Sequence, residues 1–160
     1  MVNLKTVFDN FSGHWSFDRM INSLDGVKQG HASGQARFNR LHRTGQLDYH
    51  ENGHAIYYPD NQQTEFFRDY TYHLNEDLID VYHKGAQQDG QLYQSYYLDN
   101  TDQTLRPRSD HICAADIYHG VYNIINADCF TLTTYVTGPA KDHLITTTFT
   151  RLVSVADDQT

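Results

Sequence analysis

The sequence predicts an all-β fold: one up-and-down antiparallel β-barrel of about nine to ten strands, with a short N-terminal helix. Three observations predict it. Aromatic residues reach 13%, with 12 Tyr and 8 Phe against a single Trp, a set that fits pleated, half-buried strands better than helices. From Trp15 onward apolar residues recur with a period of two. Turn-forming residues then interrupt that alternation at short, regular intervals, and Gly13-His14-Trp15 near the start and Arg151 near the end suggest that the first and last strands meet.

The elements follow in order. Leu4, Val7, Phe8 and Phe11 stand at helical spacing and Ser12-Gly13 breaks the pattern, so residues 3–11 predict a short helix capping one end of the barrel. Trp15, Phe17 and Ile21 then alternate with Ser16, Asp18 and Asn22, and Asp25-Gly26 supplies a turn. In the next strand Gly30, Ala32, Gly34, Ala36 and Phe38 share one face, which is nearly free of bulk and permits strong coiling or close approach of a ligand. Further strands are expected at 46–51, 65–74, 78–83, 92–98, 111–115, 118–125, 130–137 and 143–152. Between them lie Asn52-Gly53, Pro59-Asp60-Asn61, Asn75-Glu76, Asp89-Gly90, Asn100 to Asp102 and Gly138-Pro139, each with turn chemistry. No internal repeat or linker interrupts the 160 residues, which are expected to form one domain, and the tail Ala156 to Thr160 should fray.

Charge and cysteine content narrow the function classes. With 12 Lys+Arg against 20 Asp+Glu the net charge is −8, the wrong sign for diffuse attraction to phosphates, which argues against nucleic acid and anionic membrane as partners. Ten histidines would remove much of that negative charge in a mildly acidic setting. Cys113 and Cys129 are too few for a disulfide framework, no segment approaches a membrane span, and the start carries no apolar leader. A soluble, cytoplasmic protein is expected.

Gly13-x-Trp15 opening the first strand, with Arg151 on the last, resembles the structural mark of the calycin superfamily of lipocalin-like barrels. The resemblance implies that Trp15 closes the barrel floor and that Arg151 stacks across it, a structural role for both. A more specific resemblance covers nearly the whole chain and is to a family of lipocalin-like barrels known as domain of unknown function 6314. It is carried by Gly13, Trp15 and Arg19; Gly34, Ala36 and Phe38; Leu47, Tyr49 and Glu51; Arg68 and Tyr70; His111, Cys113, Asp116, Tyr118 and Tyr122; and Val136, Gly138, Pro139, Lys141, Asp142 and Arg151. It implies a fold and no activity. Thr134 departs from the pattern, which expects an aromatic residue there, and this enlarges or polarises that part of the interior.

Alternation sorts the candidate site residues. If Trp15 and Phe17 face inward, so does Arg19, and Glu51, in register with Leu47 and Tyr49, is its expected partner. The pair reads equally as ligand contacts or as a buried ion pair that orders the barrel. Arg68 shares a face with Tyr70 and Tyr72 and reads as a second inward cation beside phenol donors, a ligand contact. Tyr118 and Tyr122 flank Gly120 and leave a gap for a flat ligand. Gly138-Pro139-x-Lys141-Asp142 lacks the glycine spacing of a phosphate loop and reads as a hairpin turn that sets Lys141 at the rim.

Two further readings stay open. His111 with Asp116 suggests an acid–base pair in which the carboxylate fixes the imidazole tautomer, although Asp116 fits a turn cap equally well. His111 and Cys113 have a spacing that permits a shared metal ion, and His83 has an inward register that the calycin resemblance links to haem; no cofactor is predicted, since buried Cys and His are more often core residues. The sequence therefore predicts a barrel that binds a small anionic or aromatic molecule. An enzyme using His111 and Asp116, with an arginine stabilising negative charge, is the first alternative, and a dimeric interaction module without a ligand the second.

Overall fold

The computed structural model describes residues 2–40, 44–139 and 141–153; the tail expected to fray lies outside them. Helix α1 (Leu4–Phe11) is followed by β1 (Gly13–Asn22), β2 (Lys28–Arg40), β3 (Gln46–Tyr57), β4 (Gln62–Asn75), β5 (Leu78–His83), β6 (Leu92–Asp99), β7 (Thr104–Pro107), β8 (His111–Cys113), β9 (Asp116–Asn126), β10 (Cys129–Thr137) and β11 (Asp142–Arg151). Each strand from β1 to β6 pairs antiparallel with the next, β7 pairs with β9, β9 with β10, β10 with β11, and β11 returns to β1. This closes an all-β barrel. Strands β7 and β8 lie along the same edge of β9, β7 at Tyr122 and Asn123 and β8 at Asp116 to Tyr118, so eleven segments fill ten positions.

Two expectations need correction. Asn52-Gly53 is not a turn: β3 runs straight through it, because Gly53 stands opposite Gly34 and the two backbones approach too closely for side chains. A Cβ at Gly34 would lie 2.1 Å from the Asn52 carbonyl oxygen and 2.6 Å from the Gly53 Cα. Strand β7 has no counterpart among the expected strands; it has four residues and ends in a proline.

One end of the barrel is sealed. The Asn3 side chain caps α1 by accepting from the Thr6 amide at 2.8 Å, and the helix buries Val7, Phe8 and Phe11. Phe11 stacks on Phe38 at 5.2 Å and meets the edge of Phe130 at 5.0 Å, so the helix acts as a plug. Beside it Trp15 donates its indole N–H to the Phe11 carbonyl at 2.8 Å. The Arg151 guanidinium lies 4.3 Å from the Trp15 ring centre and donates to the carbonyls of Ser12 and Ala127, each at 2.8 Å. Arg151→Ala leaves those carbonyls without a donor and is expected to cost about 2 kcal/mol in urea unfolding. The opposite end, where β1, β3, β5, β8 and β10 finish, carries no such plug among the described residues and forms the mouth.

Candidate functional site

Inward side chains stop short of filling the barrel and leave a cavity of about 570 Å³. Its deep part is aromatic, with Phe38, Tyr49, Tyr72, Tyr96, Tyr122 and Phe130 contributing. Burial pushes the hydroxyls of Tyr49, Tyr72, Tyr96 and Tyr122 well above the ordinary phenol range, so all four are neutral donors at physiological pH. Tyr72 and Tyr122 share a hydrogen bond at 2.8 Å.

Above this floor lies the ion pair. Arg19 on β1 donates from Nη1 to Glu51 Oε2 at 2.8 Å, from Nη2 to Oε1 at 3.0 Å, and from Nε to the Thr147 hydroxyl at 2.9 Å. Tyr49 donates to Glu51 Oε1 at 2.7 Å. Burial works against the Glu51 charge, but the Arg19 hydrogen bonds and charge outweigh it and hold the carboxyl below its ordinary value. The fork-on-fork geometry makes the pair self-sufficient, with few lone pairs left for a ligand.

Arg68 differs. It stands opposite Glu51 in the β3–β4 register and lines the cavity with Tyr70, yet among the described residues it forms no ion pair, its guanidinium lying 6.0 Å from the Phe66 ring. Lys141 lines the mouth and donates to the Tyr118 hydroxyl at 2.8 Å, with Asp116 3.8 Å away. Thr134, in the position expected to be aromatic, is also part of the wall.

The cavity thus gathers Arg19, Glu51, Arg68, Tyr70, Tyr118, Tyr122 and Lys141, but neither His111 nor Asp116. No hydrogen bond joins those two among the described residues. They share a face across the β8–β9 hairpin, but His111 lies opposite Tyr118 and Asp116 opposite Cys113. The Asp116 carboxylate lies instead against Gly138, in the space a Cβ there would take, and 3.8 Å from Lys141. Cys113 is exposed, and among the described residues no group of three or more His, Cys, Asp or Glu is placed to hold a metal ion.

Sequence reasoning missed Tyr93. A register shift after Val81, where Val81 opposes Gln94 but Tyr82 opposes Leu92, leaves Tyr93 as the extra residue of a bulge, so it faces inward with Tyr96 against simple alternation. Its ring lies 5.5 Å from Tyr70, 5.2 Å from His83 and 4.6 Å from His111. Burial lowers the basicity of both histidines, and for His83 the neighbouring His111 adds to it. Both therefore bind protons less well folded than unfolded, and stability is expected to fall as pH drops below the unfolded value of 6.5. Urea midpoints across that range check this, and His83→Gln should flatten the fall.

A profile of a protein family, described as a family of unknown function (DUF6314), matches residues 11–151. The chain belongs to this family. Among solved structures, this DUF6314 member is similar to an S-type phycobiliprotein lyase, CPES, from Guillardia theta, with a TM-score of 0.68 over 96% of this chain and 94% of that one. At 9% sequence identity the likeness is one of fold. Two designed barrels also match. One is a redesigned β-barrel, mFAP0, bound to DFHBI, at 13% identity and a TM-score of 0.42 over 89% of this chain and 99% of that one. The other is a fluorescence-activating barrel of de novo design, at 12% identity and a TM-score of 0.43 over 95% and 100%. Among curated proteins none matches the sequence.

Proposed function

We propose that this DUF6314 protein binds a small acidic molecule with an aromatic body in its central cavity. The observation that carries the reading is the charge of the lining: among the described residues Arg19, Arg68 and Lys141 stand against Glu51 alone, in a chain whose net charge is −8. Because Arg19 and Glu51 satisfy one another and Lys141 lies 3.8 Å from Asp116, Arg68 is the cation best left to meet an acid, with Lys141 at the mouth. The aromatic floor takes the rings, and the volume lies within the roughly 300–1,000 Å³ usual for small-molecule sites. The likeness in fold to a phycobiliprotein lyase is compatible with this reading and assigns no residue to it.

The test is a fluorescence titration with anilinonaphthalene sulfonate, an acid on a flat apolar body. Saturable binding is expected, weakened about tenfold by Arg68→Ala, a loss of about 1.4 kcal/mol. Arg68→Lys should restore part of the affinity and high salt should weaken it. Absence of saturable binding, or equal affinity in Arg68→Ala, would sink the reading.

A further inference from the structure

The barrel wall is incomplete in one place. Among the described residues strand β6 pairs with β7 from Tyr96 to Asp99, and beyond that the Arg108 amide donates to the Ser95 carbonyl at 2.7 Å and the His111 ring bonds to the Tyr93 backbone. Strand β8, among the described residues, pairs with β9 alone. Between Leu92–Gln94 of β6 and residues 110–113 no strand ladder therefore runs, and a side chain crosses in its place: Gln94 Nε2 donates to the Ser109 carbonyl at 2.6 Å. On the outside of this seam lies a second, smaller space of about 360 Å³, with Arg108, Ser109, Asp110 and His111 in its wall.

Among the described residues Tyr93 lines both spaces, with its ring on the inner side. It is held by ring contacts with Tyr70, His83 and His111, and no hydrogen bond fixes its hydroxyl among the described residues. A ring held only by stacking can turn without breaking a polar bond. Each compartment also carries an arginine that forms no ion pair among the described residues, Arg68 inside and Arg108 outside, while Asp110 is engaged by His119 at 2.8 Å.

We propose that Tyr93 is the partition that sets the size of ligand this barrel accepts, and that the compartment beyond it takes the second acidic, aromatic unit of an elongated ligand. The inference rests on the cavity-binding reading above and adds a length and a second charge to the ligand. One acid meets Arg68, the body passes the seam where Tyr93 turns aside, and the second acid meets Arg108. Specificity for long over short ligands is then written at Tyr93 rather than on the floor.

Anilinonaphthalene sulfonate and its covalent dimer, which carries two ring systems and two sulfonates, separate the possibilities. The quantity read is the ratio of dimer to monomer affinity. Tyr93→Leu is expected to raise that ratio about tenfold by removing the partition, and Arg108→Glu, at an exposed position that the fold tolerates, to lower it about tenfold. Tyr93→Phe keeps the ring and should match the parent. If Tyr93→Leu does not fold, the Arg108→Glu arm still decides. A ratio unchanged in Tyr93→Leu or in Arg108→Glu, or shifted in Tyr93→Phe as far as in Tyr93→Leu, overturns the proposal while monomer binding stands. Failure of the unmodified protein to bind the monomer overturns the cavity-binding reading, and this inference with it.

Discussion

Glu51→Ala is expected to destabilise the protein by about 3–5 kcal/mol, because it strands the Arg19 guanidinium in the barrel interior without a counter-charge. Arg19 is 8% exposed and Glu51 3%, so water replaces the lost carboxylate only in part. Tyr49 also loses its acceptor. Replacing both partners, as in Arg19→Met with Glu51→Leu, should recover most of that loss, since neither charge then needs solvation. Urea unfolding of the two single variants and the double variant measures the coupling. The pair also has a pH signature: because the Glu51 carboxyl is held below its ordinary value of 4.5, its contribution is present above that pH and is lost as pH falls through the lower, folded value. If Glu51→Ala folds, its freed arginine should tighten binding of anilinonaphthalene sulfonate, the opposite of Arg68→Ala.

Gly34→Ala is expected to be worse, preventing assembly of the barrel or costing more than about 4 kcal/mol, the range reserved for severe backbone and packing conflicts. The obstacle is the backbone of β3, with Asn52 O and Gly53 Cα both nearer than any Cβ tolerates, so no side-chain rotation relieves it. Gly26 is the control. It has a φ of +94° but open space around its Cβ position, so Gly26→Ala should cost only about 1 kcal/mol of backbone strain. Circular dichroism and thermal melting of the two variants compare steric closure with backbone preference alone.

What alternation made legible was whatever lay on unbroken strands. Trp15, Phe17 and Arg19 fall on one face because β1 runs without interruption up to its far end, and Arg68, Tyr70 and Tyr72 do so on β4 for the same reason. That Arg19 and Glu51 both face inward followed from alternation, but their contact spans β2 with an offset of four residues, Glu51 standing in register with Ala36 and Trp15. Illegible features depended on neighbours distant in sequence. Asn52-Gly53 has every local mark of a turn, and only the absence of a side chain at Gly34 makes it a strand. Tyr93 faces inward through a bulge that no period-two reading contains. His111 and Asp116 share a face across the hairpin, but sharing a face is not contact: the Asp116 carboxylate lies beside Gly138 and 3.8 Å from Lys141. Strand β7 is hidden for a simpler reason, since four residues are too few to display a period.

The sealed end has a spectroscopic consequence. Trp15 is the only tryptophan, it is 1% exposed, and its indole is fixed by the Phe11 carbonyl, the Arg151 guanidinium and the edge of Phe130, 4.8 Å away. It is therefore a single, immobile energy donor at a known end of the barrel. A fluorescent ligand in the cavity should draw emission from it by resonance transfer, and the efficiency of that transfer reports how deep the acceptor has gone. Ligand that stays at the mouth beside Lys141 will quench Trp15 weakly, and ligand that reaches Tyr122 will quench it strongly. A red shift of the indole band without added ligand would instead mark the moment when α1 lets go of the floor.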